Sequence, residues 1–184
     1  TSPTRTSIDE YQQYQARVRA TVARINERFG RPDYGPIILL SIHHEPVEVY
    51  EYYRAADLCF VSSLHDGMNL VAKEFVPARD DERGVLVLSQ FTGAARELPE
   101  AIIVNPYDAD QCAAALQTAL VMPEKEQRTR MRLMRGLIQE FNVFRWAGRM
   151  LIDAAGMRNR RRLLGRLATS GRRPGQAVPD GSTP

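Results

Sequence analysis

The stretch DLCFVSSLHDGMNLVAKEF, residues 57–75, changes its periodicity halfway along. Leu58, Cys59, Phe60 and Val61 form an apolar run, which predicts a short buried strand over 58–62. Leu70, Val71, Ala72 and Phe75 then recur at helical spacing around Lys73 and Glu74, which predicts a helix over 69–77. Ser62 to Asn69 is therefore a strand-to-helix turn, with Gly67 inside it and Asn69 at the N-cap. A helix start leaves its first amides, here those of Leu70, Val71 and Ala72, without intrahelical acceptors and carries the positive end of the helix dipole. Such a turn is a natural seat for an anion such as a phosphate.

Working outward, the same alternation repeats. Ser7 to Phe29 keeps a 3.6 period through Ile8, Tyr11, Tyr14, Val18, Val22 and Ile25, with acids in its first turn and Gly30 at its end, so a helix is expected. Ile37 to Leu40 and Val85 to Leu88 are continuous apolar runs of the kind found in strands buried on both faces. A short helix is expected over 46–56, starting near Pro46. A turn is expected at Thr92 to Ala95, and a further strand at Ile102 to Val104. Helices are expected over 108–121, 123–141 and 144–155. Strands alternating with helices predict an α/β fold, a Rossmann-like parallel sheet with flanking helices. Ligands of such sheets bind beyond the strand C-termini. The polar turns at His43-His44, 62–69 and 90–95 should share that rim.

The 184 residues, 43% apolar and 26% charged, are those of one globular domain with a core. No run of about 18 apolar residues marks a membrane span, and no charged-then-apolar leader opens the sequence. Cys59 and Cys112 form no CxxC pair and read as small buried hydrophobes in a reducing compartment, the cytoplasm. The net charge of +3 is unevenly placed. Gly156 to Pro184 holds seven arginines against Asp180, a net +6, whereas the other 155 residues hold 18 basic and 21 acidic residues, a net −3. The basic character belongs to the tail, which argues against a nucleic-acid-binding domain. The division expected is a domain over 1–156 and a basic, disordered tail over 157–184.

Three features converge on a nucleoside diphosphate. The turn amides can hold the diphosphate. Glu74, one turn along, can accept both hydroxyls of a ribose. Asp66, at the tip of the turn, can bond hydroxyls of the group that the diphosphate carries. His43-His44 lacks partners at metal-ligand spacing, so no metal is expected. Asp80-Asp81-Glu82 reads as a solvated loop, and Trp146 with Phe141 and Phe144 as core.

Asp66-Gly67-Met68-Asn69-Leu70-Val71-Ala72-Lys73-Glu74 resembles the signature of the trehalose-6-phosphate synthase family of retaining glycosyltransferases. So do Tyr53-Arg54-Ala55-Ala56-Asp57, Leu88 to Leu98 and Val104-Asn105-Pro106-Tyr107-Asp108, and the resemblance runs from about Pro3 to Ala155. It implies the C-terminal, donor-binding half of a GT-B enzyme in which two Rossmann-like domains clamp UDP-glucose against glucose 6-phosphate. Asp66 would be the catalytic residue and, with Gly67, contact the transferred glucose. Leu70 and Val71 would give amides to the diphosphate, and Glu74 would hold the ribose. His44 would meet the uracil through its main chain, Met68, Asn69, Ala72 and Lys73 would complete the donor-binding segment, and Arg5 would bind the acceptor phosphate.

No cofactor is implied. The family's acceptor-binding N-terminal domain, with an arginine-lysine pair that neutralises the diphosphate, falls upstream of this chain and would be its partner. A homo-oligomer is compatible with the resemblance. His65 and Pro46 stand where the family commonly has arginine, which leaves a glycerol-phosphate acceptor open. A non-catalytic nucleotide-sugar-binding module is the competing reading of another class.

Overall fold

The computed structural model describes residues 9–170. A three-stranded sheet forms the centre: β1 (Leu58–Val61), β2 (Val85–Ser89) and β3 (Ile102–Val104), all parallel and in the order β1-β2-β3. Leu58 pairs with Val85 and Val61 with Leu88, while Val87 pairs with Ile102 and Ser89 with Val104. The helices are α1 (Asp9–Phe29), α2 (Pro46–Ala55), α3 (Leu70–Ala78), α4 (Ala109–Leu120), α5 (Glu124–Glu140) and α6 (Val143–Ser170). A single 3₁₀ turn, Gly93–Arg96, lies between β2 and β3.

β2 is buried at all five positions because both of its faces are covered. Leu86 and Leu88 point toward Ala72, Phe75 and Val76 of α3 and Met131 and Met134 of α5. Val85 and Val87 point the other way, toward Ala115 and Ala119 of α4 and Met122. The alternation of side chains along an extended strand thus divides the core into two layers. Arg135 of α5 reaches the last carbonyls of α3, with Nη1 3.2 Å from Val76 O and 2.7 Å from Pro77 O. That contact satisfies acceptors that a helix end leaves open.

Three expectations fail. Ile37 to Leu40 is not a strand, and Ile38 is 81% exposed. Its backbone finds a side chain instead of a neighbouring strand: Asn26 Nδ2 donates to Ile37 O at 2.8 Å, and Ile37 N donates to Asn26 Oδ1 at 2.9 Å. A doubly buried strand needs a second covering layer and a paired edge, and among the described residues none lies beyond β1. The last helix does not stop at Ala155 but runs unbroken to Ser170. Arginine and leucine are good helix formers, so Gly156 and Gly165 are tolerated within it. The tail expected over 157–184 is therefore helical in its first half, and residues 171–184 lie outside the described residues.

Phe141 and Phe144 are exposed rather than core, Phe141 carrying the Arg145 guanidinium 4.3 Å above its ring. The side chain of Trp146 lies outside the described residues. The acids at 80–82 do lie in a loop before β2, with Asp80 and Asp81 exposed, and each pairs with an arginine: Asp80 with Arg54, Asp81 with Arg79, and Glu82 with Arg132. Cys59 and Cys112 are unbridged and half-buried.

Candidate functional site

Because the three strands are parallel, the loops that follow them emerge on one rim. The 62–69 loop follows β1, the 90–95 segment follows β2, and 105–108 follows β3. α2 runs back toward the start of β1, so its N-terminus, with His44 just before it, belongs to this rim as well. There His44 is largely buried, its Nδ1 3.3 Å from Glu48 Oε2 and its ring edge-on to Tyr52 at 5.5 Å.

The first two loops are laced together beyond the end of the sheet. Asp66 N donates to Phe91 O (3.1 Å), Gly93 N to Asp66 O (2.9 Å) and Ala94 N to Met68 O (3.0 Å). The approach is so close that a Cβ on Gly93 would lie 2.1 Å from Gly67 O, so position 93 admits only glycine. At Gly67 the opposite holds: a Cβ there would meet nothing within 4 Å. Neither packing nor a positive φ asks for glycine at 67, and the space beside it is open.

Asp66 and Asn69 build the turn. Asp66 Oδ1 accepts from the amides of Met68 (3.1 Å) and Asn69 (2.9 Å), and its Oδ2 accepts from Asn69 Nδ2 (2.9 Å). Partial burial opposes ionisation of Asp66, but these bonds prevail and hold its carboxyl below the ordinary aspartate range. Asn69 is 4% exposed and takes the left-handed backbone, φ 64°, that asparagine tolerates better than most residues. Its Oδ1 accepts from Ala72 N at 2.9 Å and caps α3.

The expectation of three free amides therefore reduces to two. Ala72 is satisfied by the cap, whereas Leu70 and Val71, both exposed, have no acceptor among the described residues. They mark the positive end of α3 and stand ready for an external acceptor.

Glu74 is half-buried one turn along α3 from Leu70, on the same side of the helix. Lys73 is not at the turn: its Nζ is 2.8 Å from Glu97 Oε2, beside a groove of about 420 Å³ walled by Leu98, Leu137 and Phe141. Met68 is exposed on the rim next to Gly67. Arg5 lies outside the described residues. The turn thus brings Asp66, Gly67, Met68, Asn69, Leu70 and Val71 together, with Glu74 behind them.

Two residues bearing on the site were not singled out by their residue type. Gly93 is the clasp between the loops, and Tyr53 of α2 packs edge-on, at 6.0 Å, against Phe75, the residue after Glu74 on α3. Tyr53 belongs to the quoted 53–57 block, yet only the packing of α2 on α3 shows what it faces.

The sequence model of glycosyltransferase family 20 matches residues 1–155. A trehalose-6-phosphate synthase of Klebsiella pneumoniae is 42% identical over 169 residues, covering 90% of this chain and 36% of that protein. A glucosylglycerol-phosphate synthase of Picosynechococcus is 41% identical over 144 residues, covering 78% of this chain and 29% of the relative. An α,α-trehalose-phosphate synthase (UDP-forming) of Burkholderia xenovorans, solved in complex with glucose-6-phosphate, superposes with a TM-score of 0.81 at 43% identity. That match covers 83% of this chain and 34% of the other. The chain spans about a third of the length of the relatives it matches.

Proposed function

Given that the chain belongs to glycosyltransferase family 20, we propose that it is the donor-binding portion of a UDP-forming α,α-trehalose-phosphate synthase, transferring glucose from UDP-glucose to glucose 6-phosphate. The observation that carries this reading is the start of α3. Two amides without acceptors among the described residues, those of Leu70 and Val71, stand about one helical turn before Glu74.

In that reading the amides take the diphosphate and Glu74 takes the ribose hydroxyls. The uracil lies along the main chain at His44, and the transferred glucose lies in the open space at Gly67. Asp66 meets the sugar at the tip of the turn. Three of its acceptor positions already bind the turn itself, so its foremost contribution is to fix the amides in place. Transfer with retention then needs no protein nucleophile. The acceptor hydroxyl attacks on the face that the diphosphate leaves, and a diphosphate oxygen takes its proton. Amides preorganised on the oxygens where charge grows lower that barrier.

A preceding domain supplies the acceptor pocket and the cationic pair in this proposal, so this chain alone should bind UDP-glucose weakly and transfer nothing. Removing acceptor positioning forfeits the largest part of the proximity advantage. The competing acceptor is a glycerol phosphate, favoured by the likeness to a glucosylglycerol-phosphate synthase. The test is UDP release by the full-length protein with each acceptor, alongside calorimetric titration of UDP-glucose. Glu74→Ala should weaken donor binding by roughly 1.5–3 kcal/mol, the scale of hydrogen bonds to a charged group. Unchanged donor affinity in that variant would remove the ribose assignment, and release with neither acceptor would remove the transferase reading.

A further inference from the structure

The carbonyl of His44 and the amide of Glu45 belong to one peptide unit, and Glu48, in the first turn of α2, holds that unit. Glu48 Oε2 accepts from Glu45 N at 3.2 Å, and the same oxygen lies 3.3 Å from His44 Nδ1. A carboxylate only accepts, so Nδ1 carries its hydrogen toward Glu48. One carboxylate oxygen thus ties down a main-chain amide and the side chain of the residue before it. Tyr52 holds the His44 ring from another side, edge-on at 5.5 Å.

Stability does not account for a histidine here. Its Nε2 is buried with no hydrogen-bond partner among the described residues, which costs folding free energy that an apolar ring would not. What the histidine does supply is the Nδ1 contact with Glu48.

A trans peptide is planar, with its N–H and C=O pointing to opposite sides. Fixing Glu45 N on Glu48 therefore turns the His44 carbonyl away from that carboxylate. Among the described residues this carbonyl has no hydrogen-bond partner, and it belongs to the rim on which the loops meet. A carbonyl of fixed direction selects for donors. Uracil presents an N3–H, whereas cytosine has a bare N3 at the same place. An oriented carbonyl attracts the first and repels the second, and one free to turn aside would do neither.

We propose that Glu48 is a positioning residue for base recognition: by bonding the Glu45 amide and the His44 ring, it fixes the His44 carbonyl in the direction that receives the N–H of uracil. This rests on the reading that the uracil lies along the main chain at His44. Glu48 itself touches no substrate and acts through the peptide that it holds.

The test is calorimetric titration of the full-length protein with UDP-glucose and with CDP-glucose, in the parent and in three variants. The Glu48 side chain is 56% exposed, so Glu48→Ala opens no cavity and should fold. It should weaken UDP-glucose binding about three- to tenfold, the scale of one hydrogen bond, and CDP-glucose binding less than about twofold. Glu48→Gln keeps an oxygen that can accept from Glu45 N, so it should retain most of the preference for uracil. Glu45→Ala changes the N-cap side chain but leaves the amide on Glu48, so it should retain the preference whatever it does to the melting temperature.

A preference that survives Glu48→Ala, or that falls as far in Glu45→Ala or Glu48→Gln as in Glu48→Ala, would overturn the positioning role and leave the base reading intact. A parent protein that binds UDP-glucose and CDP-glucose alike would remove the base reading at His44, and the proposal with it.

Discussion

The two edges of the sheet handle their polar groups in opposite ways. At the start of the strands, Arg79 is 5% exposed and each of its three guanidinium nitrogens has an acceptor. Nη1 donates to the carbonyls of Tyr53, Arg54 and Ala56 at 3.0, 2.6 and 2.6 Å, Nε to Arg83 O at 3.0 Å, and Asp81 receives Nε and Nη2. At the end of the strands, Asp66 and Asn69 are equally well bonded, yet the framework they build leaves the amides of Leu70 and Val71 without acceptors among the described residues. A network that satisfies all its members makes structure, and one that leaves donors convergent and exposed makes a place for a ligand. Both edges are rich in charge, so charge alone does not distinguish them. What differs is whether the donors already have acceptors.

If that contrast is right, variants at the two edges should separate stability from donor binding. The largest effect is expected for Arg79→Met, which leaves four carbonyls and Asp81 without their shared donor. It should lower unfolding free energy by roughly 3–5 kcal/mol, as breaking one side of a buried charged network does. Urea unfolding measures this, and the variant that still folds should bind UDP-glucose normally. Weakened donor binding in fully folded Arg79→Met would blur the distinction between the edges.

Next comes the pair of glycines. Gly93→Ala forces a methyl onto Gly67 O and should cost about 1–3 kcal/mol of stability while also displacing the turn. Gly67→Ala places its methyl in open space, so its stability should stay within about 0.5 kcal/mol of the parent. Donor affinity should nevertheless fall, since the sugar is proposed to use that space. Calorimetry with UDP-glucose beside thermal melting tests both, and the contrast breaks if the two substitutions behave alike.

Asn69→Ala should cost about 1–2 kcal/mol, combining a lost N-cap with strain at a positive φ. Asn69→Gly should recover only the part due to strain. Helical circular dichroism with urea unfolding separates the two contributions.

The smallest effect is on pH dependence. Burial pushes the Cys59 thiol up to about 11, and Tyr53 is pushed up to about 12. Raised values mean that the unfolded chain loses these protons first, so the stability they contribute is present below their ordinary values and lost as pH rises toward 11 and 12. Asp66 runs the other way: its contribution is present above the ordinary carboxylate range and lost as pH falls through its lowered value. Unfolding midpoints across pH should therefore drop at both ends. Cys59→Ala should remove part of the alkaline drop and leave the acidic one unchanged.

The strand-turn-helix at 57–75 could be read without coordinates because its signals are local. An apolar run, a glycine turn, an asparagine cap and a 3.6 period each depend on residues a few positions apart. The same holds for the places of β1, β2 and β3 along the chain, whose alternation with helices implied a parallel sheet and a shared rim for their loops. Tertiary structure decided what depends on partners distant in the chain. Ile37 to Leu40 has the composition of a buried strand, but a strand exists only when an edge pairs with it, and here Asn26 takes its backbone instead. Phe141 and Phe144 are hydrophobic enough for a core, yet no described layer covers them. Lys73 lies inside the signature segment but turns to Glu97, 24 positions along the chain. Gly93 matters because another loop passes its Cα, and Tyr53 because α2 packs on α3. Chain periodicity sets which face of an element is apolar, whereas contacts between elements set which polar atoms are left over to bind something.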